Sequence, residues 1–332
     1  MVLGLSDIHP WHWALFLTVI TFFLSLDLGV FHKRAHVVKW GEAFAWYTFW
    51  VTLAVAFGLL VYKWRGKVEA LEYITGYIVE LSLSMDNVFV IAVIFSYFHV
   101  PLKYQHRVLF WGILGAIVMR GIMITVGVAV VQTFSWILYV FGLILVVTGI
   151  KMVTSGAEGP HPERNFALRL AQKFLPITKE FHGQQFLLRL NGKLYFTPLA
   201  IVLLTIETTD LVFALDSIPA IFGITHKPFI IFTSNVFAIL GLRSLYFLLA
   251  NAISYFRYLK IGLSLVLTFI GVKMLLDPHH APPKWFQVEI PTATSLIIII
   301  AILTTSIIMS IVATLHEKHL KKRSQNQLNR IE

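Results

Sequence analysis

Polar side chains are so sparse in this chain that its hydrophobic positions form long runs instead of a helical or a two-residue alternation. Nine runs approach 20 residues, at 12–31, 43–62, 71–98, 108–131, 134–153, 197–222, 229–250, 258–276 and 292–315. A helix of about 20 residues crosses a hydrocarbon core about 30 Å thick. Inside that core only helices and closed barrels satisfy their own backbone. The pattern therefore predicts an all-α membrane protein with about nine transmembrane helices. Aromatic side chains mark the run ends, where amphipathic rings favour the headgroup level: Trp11 and Trp13, Trp40 and Trp46, Tyr62 and Trp64, Trp285 and Phe286. One long polar stretch, 155–196, interrupts the series. Within it Phe166, Leu170 and Phe174 recur at i, i+4 and i+8, which predicts a short amphipathic helix over 163–175. Gln185 to Phe196 reads as a β-hairpin turning on Asn191-Gly192. The stretch as a whole reads as a basic lid at the membrane interface.

Composition sharpens this class. Of 332 residues 57% are hydrophobic and 13% charged, and the mean hydropathy is +0.76. Soluble domains carry about 25% charged residues, so a large soluble core is excluded. There is no cysteine. That removes disulfides, thiolate metal ligands, iron–sulfur clusters and dithiol redox centres. No glycine-rich nucleotide or flavin fingerprint follows a strand, and no ATP-binding motif is present. The first ten residues hold Asp7 but no lysine or arginine, so the first run is expected to persist as a helix and not to be cleaved as a leader.

The net charge is +10, with a pI near 9.7. In a soluble chain this would suggest nucleic acid. Here the basic residues lie in loops, where they fix topology and touch anionic lipid. If the N-terminus is outside, 18 lysines and arginines fall in the inner loops and tail and 5 in the outer segments. The positive-inside rule then predicts an outer N-terminus and a cytoplasmic C-terminus in the inner (plasma) membrane. Of 13 histidines most stand in loops or at span ends, among them His99, His106 and the pair His279–His280, and read as surface groups.

An internal repeat organises the middle of the chain. Glu80-Leu-Ser-Leu-Ser-Met-Asp86-Asn87 aligns with Asp210-Leu-Val-Phe-Ala-Leu-Asp216-Ser217. In each copy the next span carries an arginine in apolar surroundings, Arg120 and Arg243. The third span of each ends in a glycine, an aliphatic residue, a lysine and a methionine: Gly149 to Met152 and Gly271 to Met274. Three spans per copy is an odd number, so the second copy must enter the bilayer from the opposite face. The organisation is then 1–66, two N-terminal helices; 67–154, the first repeat; 155–196, the cytoplasmic loop; 197–277, the second, inverted repeat; and 278–332, the last helix and a basic tail. Inverted repeats are the usual plan of secondary transporters, with the site between copies near the midplane.

Six acids fall within spans past their first turn: Asp27, Glu80, Asp86, Glu207, Asp210 and Asp216. Each costs about 2.5–3.5 kcal/mol at the bilayer centre on insertion scales, or on the order of 15 kcal/mol together. Arg120 and Arg243 read as structural counter-ions to two of them, and the remaining negative charge calls for bound cations or protons. Carboxylates with the oxygens of Asn87 and Ser217 suit Mg²⁺, Ca²⁺ or Mn²⁺. No Cys or His lies within these motifs, which argues against softer metals. Met85 reads as core packing, because its counterpart is Leu215. On an ideal helix Asp86 and Asp216 lie about 120° round from their partner acids. Convergence of all the acids on one ion therefore requires a distortion, near Pro219 in one copy and near Ser82 and Ser84 in the other.

These motifs resemble the TerC family, and within it the Alx-like branch. The residues are Thr75-Gly-Tyr-Ile-Val-Glu80 through Asp86-Asn87-Val-Phe-Val, Leu211 through Asp216-Ser217-Ile-Pro219-Ala, and Thr233-Ser-Asn235 through Arg243-Ser-Leu-Tyr-Phe. The likeness runs from about Asp27 to Lys273. It implies an integral membrane protein related to LysE-type transporters and linked to tellurium resistance, alkaline pH response and Mn²⁺ export. Carried onto this chain, the metal positions implied are Glu80, Asp86, Glu207, Asp210 and Asp216, with Asn87 and Asp27 beside them. Leu81 departs from the branch, which tends to place a basic residue after the glutamate, and leaves this site more negative. The combined reading is a secondary exporter of a divalent cation, Mn²⁺ first, with no catalytic residues and no prosthetic group. Its partners are the ion and the bilayer, and no protein partner is legible. Two alternatives stay open: a Ca²⁺/H⁺ exchanger with the same site, and a redox or tellurium stress-response scaffold acting through 155–196.

Overall fold

A computed structural model describes residues 8–26, 38–154, 166–178, 180–190, 192–249, 258–277 and 287–328. The described chain is helical apart from one small hairpin. Its helices are α1 (Pro10–Leu26), α2 (Trp40–Arg65), α3 (Lys67–Tyr97), α4 (Leu102–Thr133), α5 (Ile137–Thr154), α6 (Phe166–Phe174), α7 (Pro198–Phe222), α8 (Pro228–Leu249), α9 (Leu259–Leu276) and α10 (Thr292–Leu328). Eight of these, all but α1 and α6, are long and apolar enough to cross a bilayer; α1 is a shorter apolar helix. The chain is thus an all-α multi-pass membrane protein. The expected first span, 12–31, is described only as far as Leu26, and Asp27 lies outside the described residues. The last helix is longer than its apolar run of 292–315, because the basic tail continues the same helix to Leu328.

α8 occupies the centre. Its apolar stretch is buried on all sides, against α2, α3 and α4. A helix that is apolar all round belongs in such a position. α2, α5 and α10 by contrast keep most of their surface outward, as lipid-facing helices do. α1 joins through aromatic rings: Trp13 and Phe16 meet Phe229 and Phe232 of α8, and Phe16 also meets Phe57 of α2. α3 lies against α8 and α7, α4 against α7 and α8, and α5 against α9.

The α5–α9 contact is set by glycines. A Cβ on Gly271 would stand 2.7 Å from the Gly142 carbonyl oxygen, and one on Gly149 would stand 2.9 Å from that of Ser264. Small residues let membrane helices approach backbone to backbone. The approach is close enough for the Ser264 hydroxyl to donate to the Gly149 carbonyl at 2.5 Å.

Within the 155–196 stretch, strands β1 (Leu187–Leu190) and β2 (Lys193–Phe196) pair antiparallel with Leu190 opposite Lys193. That register leaves a two-residue loop. Gly192 there has φ +79°, the left-handed conformation such a turn requires. Asn191 lies outside the described residues. α6 docks on α7 through Leu168, Ala171 and Ile201. The stripe that predicts this helix faces away from that contact: Phe166 is 76% and Phe174 68% exposed. His106, read from sequence as a surface group, is buried at the start of α4 beside the Phe247 ring.

Candidate functional site

The polar centre of the bundle is built on α3, α4, α7 and α8. Ser82 returns its hydroxyl to the Ile78 carbonyl at 2.7 Å, as a serine does when nothing else in an apolar span bonds it. α3 and α7 run without a break, so the distortion anticipated near Asp86 and Pro219 is not found. Pro219 falls in the last turn of α7, where one missing backbone bond leaves the helix intact. On unbroken helices the acids six positions apart point to different sides, and the structure divides them accordingly.

One group centres on Arg120 of α4. Its guanidinium, 2% exposed, donates to the Glu80 carboxylate of α3, which is 1% exposed. It also donates to both carboxylate oxygens of Asp210 of α7, Nη2 to Oδ1 at 3.2 Å and Nε to Oδ2 at 3.4 Å. Nη1 further reaches Ser217 Oγ at 3.2 Å and Asn235 Oδ1 of α8 at 3.3 Å. Asn235 Nδ2 donates to Glu80 Oε2 at 3.0 Å, and Asn87 Nδ2 donates to Asp210 Oδ1 at 3.3 Å. Ser84 Oγ donates to Glu80 Oε1 at 3.4 Å. A planar fork of five N–H groups suits such a setting, because it can meet two carboxylates at once.

A second group faces a cavity of about 70 Å³, lined by Asp86, Asn87, Arg120, Met152, Asp216 and Ser217 among others. Thr148 of α5 donates to Asp216 Oδ1 at 3.2 Å. The third element is Glu207, which lines a neighbouring space of about 30 Å³ with Asn87, Asp210 and Arg243. Its carboxylate lies against Gly115 of α4 so closely that any Cβ there would strike it. Arg243 is buried in α8. Among the described residues no three acids or histidines stand close enough to hold one ion jointly. In this conformation, then, Glu80 and Asp210 meet at Arg120, Asp86 and Asp216 share a cavity, and Glu207 stands to one side.

The sequence reading did not place Asn235, Thr148 or Met152 at the site. Asn235 had a signal of its own: an amide in mid-span needs partners as a carboxylate does. Thr148 had none, because a threonine can satisfy itself on its own helix, and Met152 stood out only as the last residue of a repeated motif, where a methionine is ordinary core.

The fold and this buried polar centre define a multi-pass helical membrane protein whose ionisable groups meet inside the bilayer. Residues 65–318 match the integral membrane protein TerC family, and the chain belongs to that family. It is 48% identical over 307 residues to an uncharacterised membrane protein of Myxococcus xanthus, covering 92% of this chain and 94% of that one. An uncharacterised membrane protein of Rickettsia felis is 45% identical over 300 residues, covering 90% and 97%. The Alx protein of Escherichia coli O6:H1, provisionally named a membrane-bound redox modulator, is 42% identical over 324 residues, covering 95% and 98%. No solved structure matches the chain.

Proposed function

We propose that this protein is a secondary transporter that exports a divalent cation, Mn²⁺ first, across the inner membrane, with its N-terminus outside and its C-terminus in the cytoplasm. The observation that carries the reading is the pairing of repeat-equivalent acids within the spans. Glu80 and Asp210 meet at one arginine, and Asp86 and Asp216 face one cavity. The polar centre itself holds five acids, Glu80, Asp86, Glu207, Asp210 and Asp216, against Arg120 and Arg243, a negative balance that a moving cation can offset. The ligands are Asp86, Asp216, Glu80, Asp210, Glu207 and the side-chain oxygens of Asn87 and Ser217, hard donors suited to Mn²⁺ and Ca²⁺. With no cysteine in the chain, the redox role named for the Alx relative would reach other proteins through the ion moved and not through a thiol.

The test is ⁵⁴Mn efflux from cells expressing the wild type beside Asp86→Ala and Asp216→Ala, with Ca²⁺ flux followed in parallel. Mn²⁺ efflux lost in both variants while the protein still inserts is the expected result. Wild-type efflux in both variants would overturn the assigned site, and the absence of any flux in wild type would overturn transport itself. Ca²⁺ moved in place of Mn²⁺ would reassign the cargo.

A further inference from the structure

We infer that Arg120 is a tethered counter-cation which clasps the two repeats together and must be displaced by the transported ion. The inference rests on the proposed transport reading and deepens it. A plain counter-ion needs one acid. Arg120, on α4, instead bonds α3 through Glu80, α7 through Asp210 and Ser217, and α8 through Asn235. It thereby joins helices of both three-helix copies. The two acids it holds are equivalent positions of those copies, so the guanidinium stands where an ion shared by them would stand. It is also itself a wall of the cavity that Asp86 and Asp216 face.

A cation reaching Glu80 and Asp210 must therefore take the place of a guanidinium already bonded there. The displaced group has a second pair of carboxylates across the adjoining cavity to receive its charge. Exchange of arginine and ion between the two acid pairs lets the interior stay compensated when the site is empty and gives the bound ion a competitor that drives its release. The measured ion affinity is then the intrinsic affinity reduced by the fraction of time the clasp is open.

The experiment compares wild type, Arg120→Gln and Arg120→Lys as full-length protein in liposomes. Equilibrium Mn²⁺ binding is read by electron paramagnetic resonance, and Mn²⁺ flux in the same vesicles. If the clasp is open about a tenth of the time, Arg120→Gln binds Mn²⁺ about tenfold tighter, while its maximal flux falls at least as far because release loses its competitor. Arg120→Lys carries the charge but cannot fork to both acids, so its affinity rises too, by less. A merely structural arginine gives no such split between tighter binding and slower turnover. Unchanged or weaker binding in a folded Arg120→Gln overturns the inference; if that variant does not fold, the same outcome in Arg120→Lys does. If wild type neither binds nor moves Mn²⁺, the proposed function fails first. If wild type moves Mn²⁺ and neither variant binds it tighter, only the clasp fails.

Discussion

At the scale of single residues, the site turns on how buried charges share partners. Removing one partner from a buried ion pair leaves the other uncompensated, at a cost of about 3–5 kcal/mol. An amide at such a centre carries less. Asn235→Leu strips a donor from Glu80 and an acceptor from Arg120, and should lower stability by about 1–3 kcal/mol. The unfolding midpoint in detergent would fall by several degrees, and an unchanged midpoint would show that Glu80 and Arg120 satisfy each other without it. Gly115→Ala tests a different contact. A methyl there must push Glu207 aside while leaving the Arg120 cluster untouched. Ion flux should drop with little loss of stability, whereas wild-type flux would remove Glu207 from the path. The sequence made every one of the acids visible, because an ionisable group inside a span costs too much to be incidental. It did not show which acids share a partner. That depends on the rotation of α3 and α7 about their axes, which the chain settles only through packing against α4 and α8.

At the scale of helices, apolar run length was enough to place the eight long spans, and short connections such as Gly66 between α2 and α3 made neighbours antiparallel. What run length could not give was packing order. Membrane helices gain nothing from burying one apolar face against another, so a span's neighbours are written in its small residues. Gly142 and Gly271 carry this for α5 and α9. Gly271→Val sets a branched side chain against backbone that cannot retreat, and overpacking of this kind costs about 1–3 kcal/mol. The variant should unfold earlier and lose flux with the site residues all intact. Gly41→Ala is the matched control, since a Cβ there meets nothing within 4 Å. Equal effects of the two would mean that glycine matters here through the backbone of single helices and not through the α5–α9 contact. α6 marks the limit of pattern reading from the other direction. Its periodic stripe identified a helix, but the docking side chains are Leu168 and Ala171, and Phe166, Leu170 and Phe174 point away. A stripe at helical spacing names an apolar face without saying whether protein or lipid covers it.

At the scale of the molecule, the contacts themselves carry the mark of a two-fold relation between the copies. Gly142 lies on Gly271 while Gly149 lies on Ser264, and these are the same pair with the copies exchanged. The polar centre repeats the pattern, with Asn87 bonded to Asp210 and Ser217 linked to Glu80 through Arg120. Such reciprocity is what a two-fold relation between copies gives, and with three spans per copy we propose that one copy is turned over relative to the other. The two ends of the bundle are consistent with that arrangement. At one end Lys227 of the α7–α8 turn pairs with Glu69 and Glu72 at the start of α3. At the other, Arg107 of α4 donates to Gln184 beside the hairpin at 2.9 Å. The positive-inside count assigns the first end to the outside. Because the chain has no cysteine, one introduced thiol reports on one place. Lys67→Cys, exposed at the first end, should react with a membrane-impermeant maleimide in intact cells, and Lys193→Cys in β2 only after the membrane is opened. The reverse pattern would turn the molecule over, so that ions drawn through the same acids would have to be described as entering the cell. Labelling of both sites in intact cells would place the hairpin and the α2–α3 turn on one side, which the three crossings between them, α3, α4 and α5, forbid, and would break the three-plus-three arrangement on which the paired acids depend.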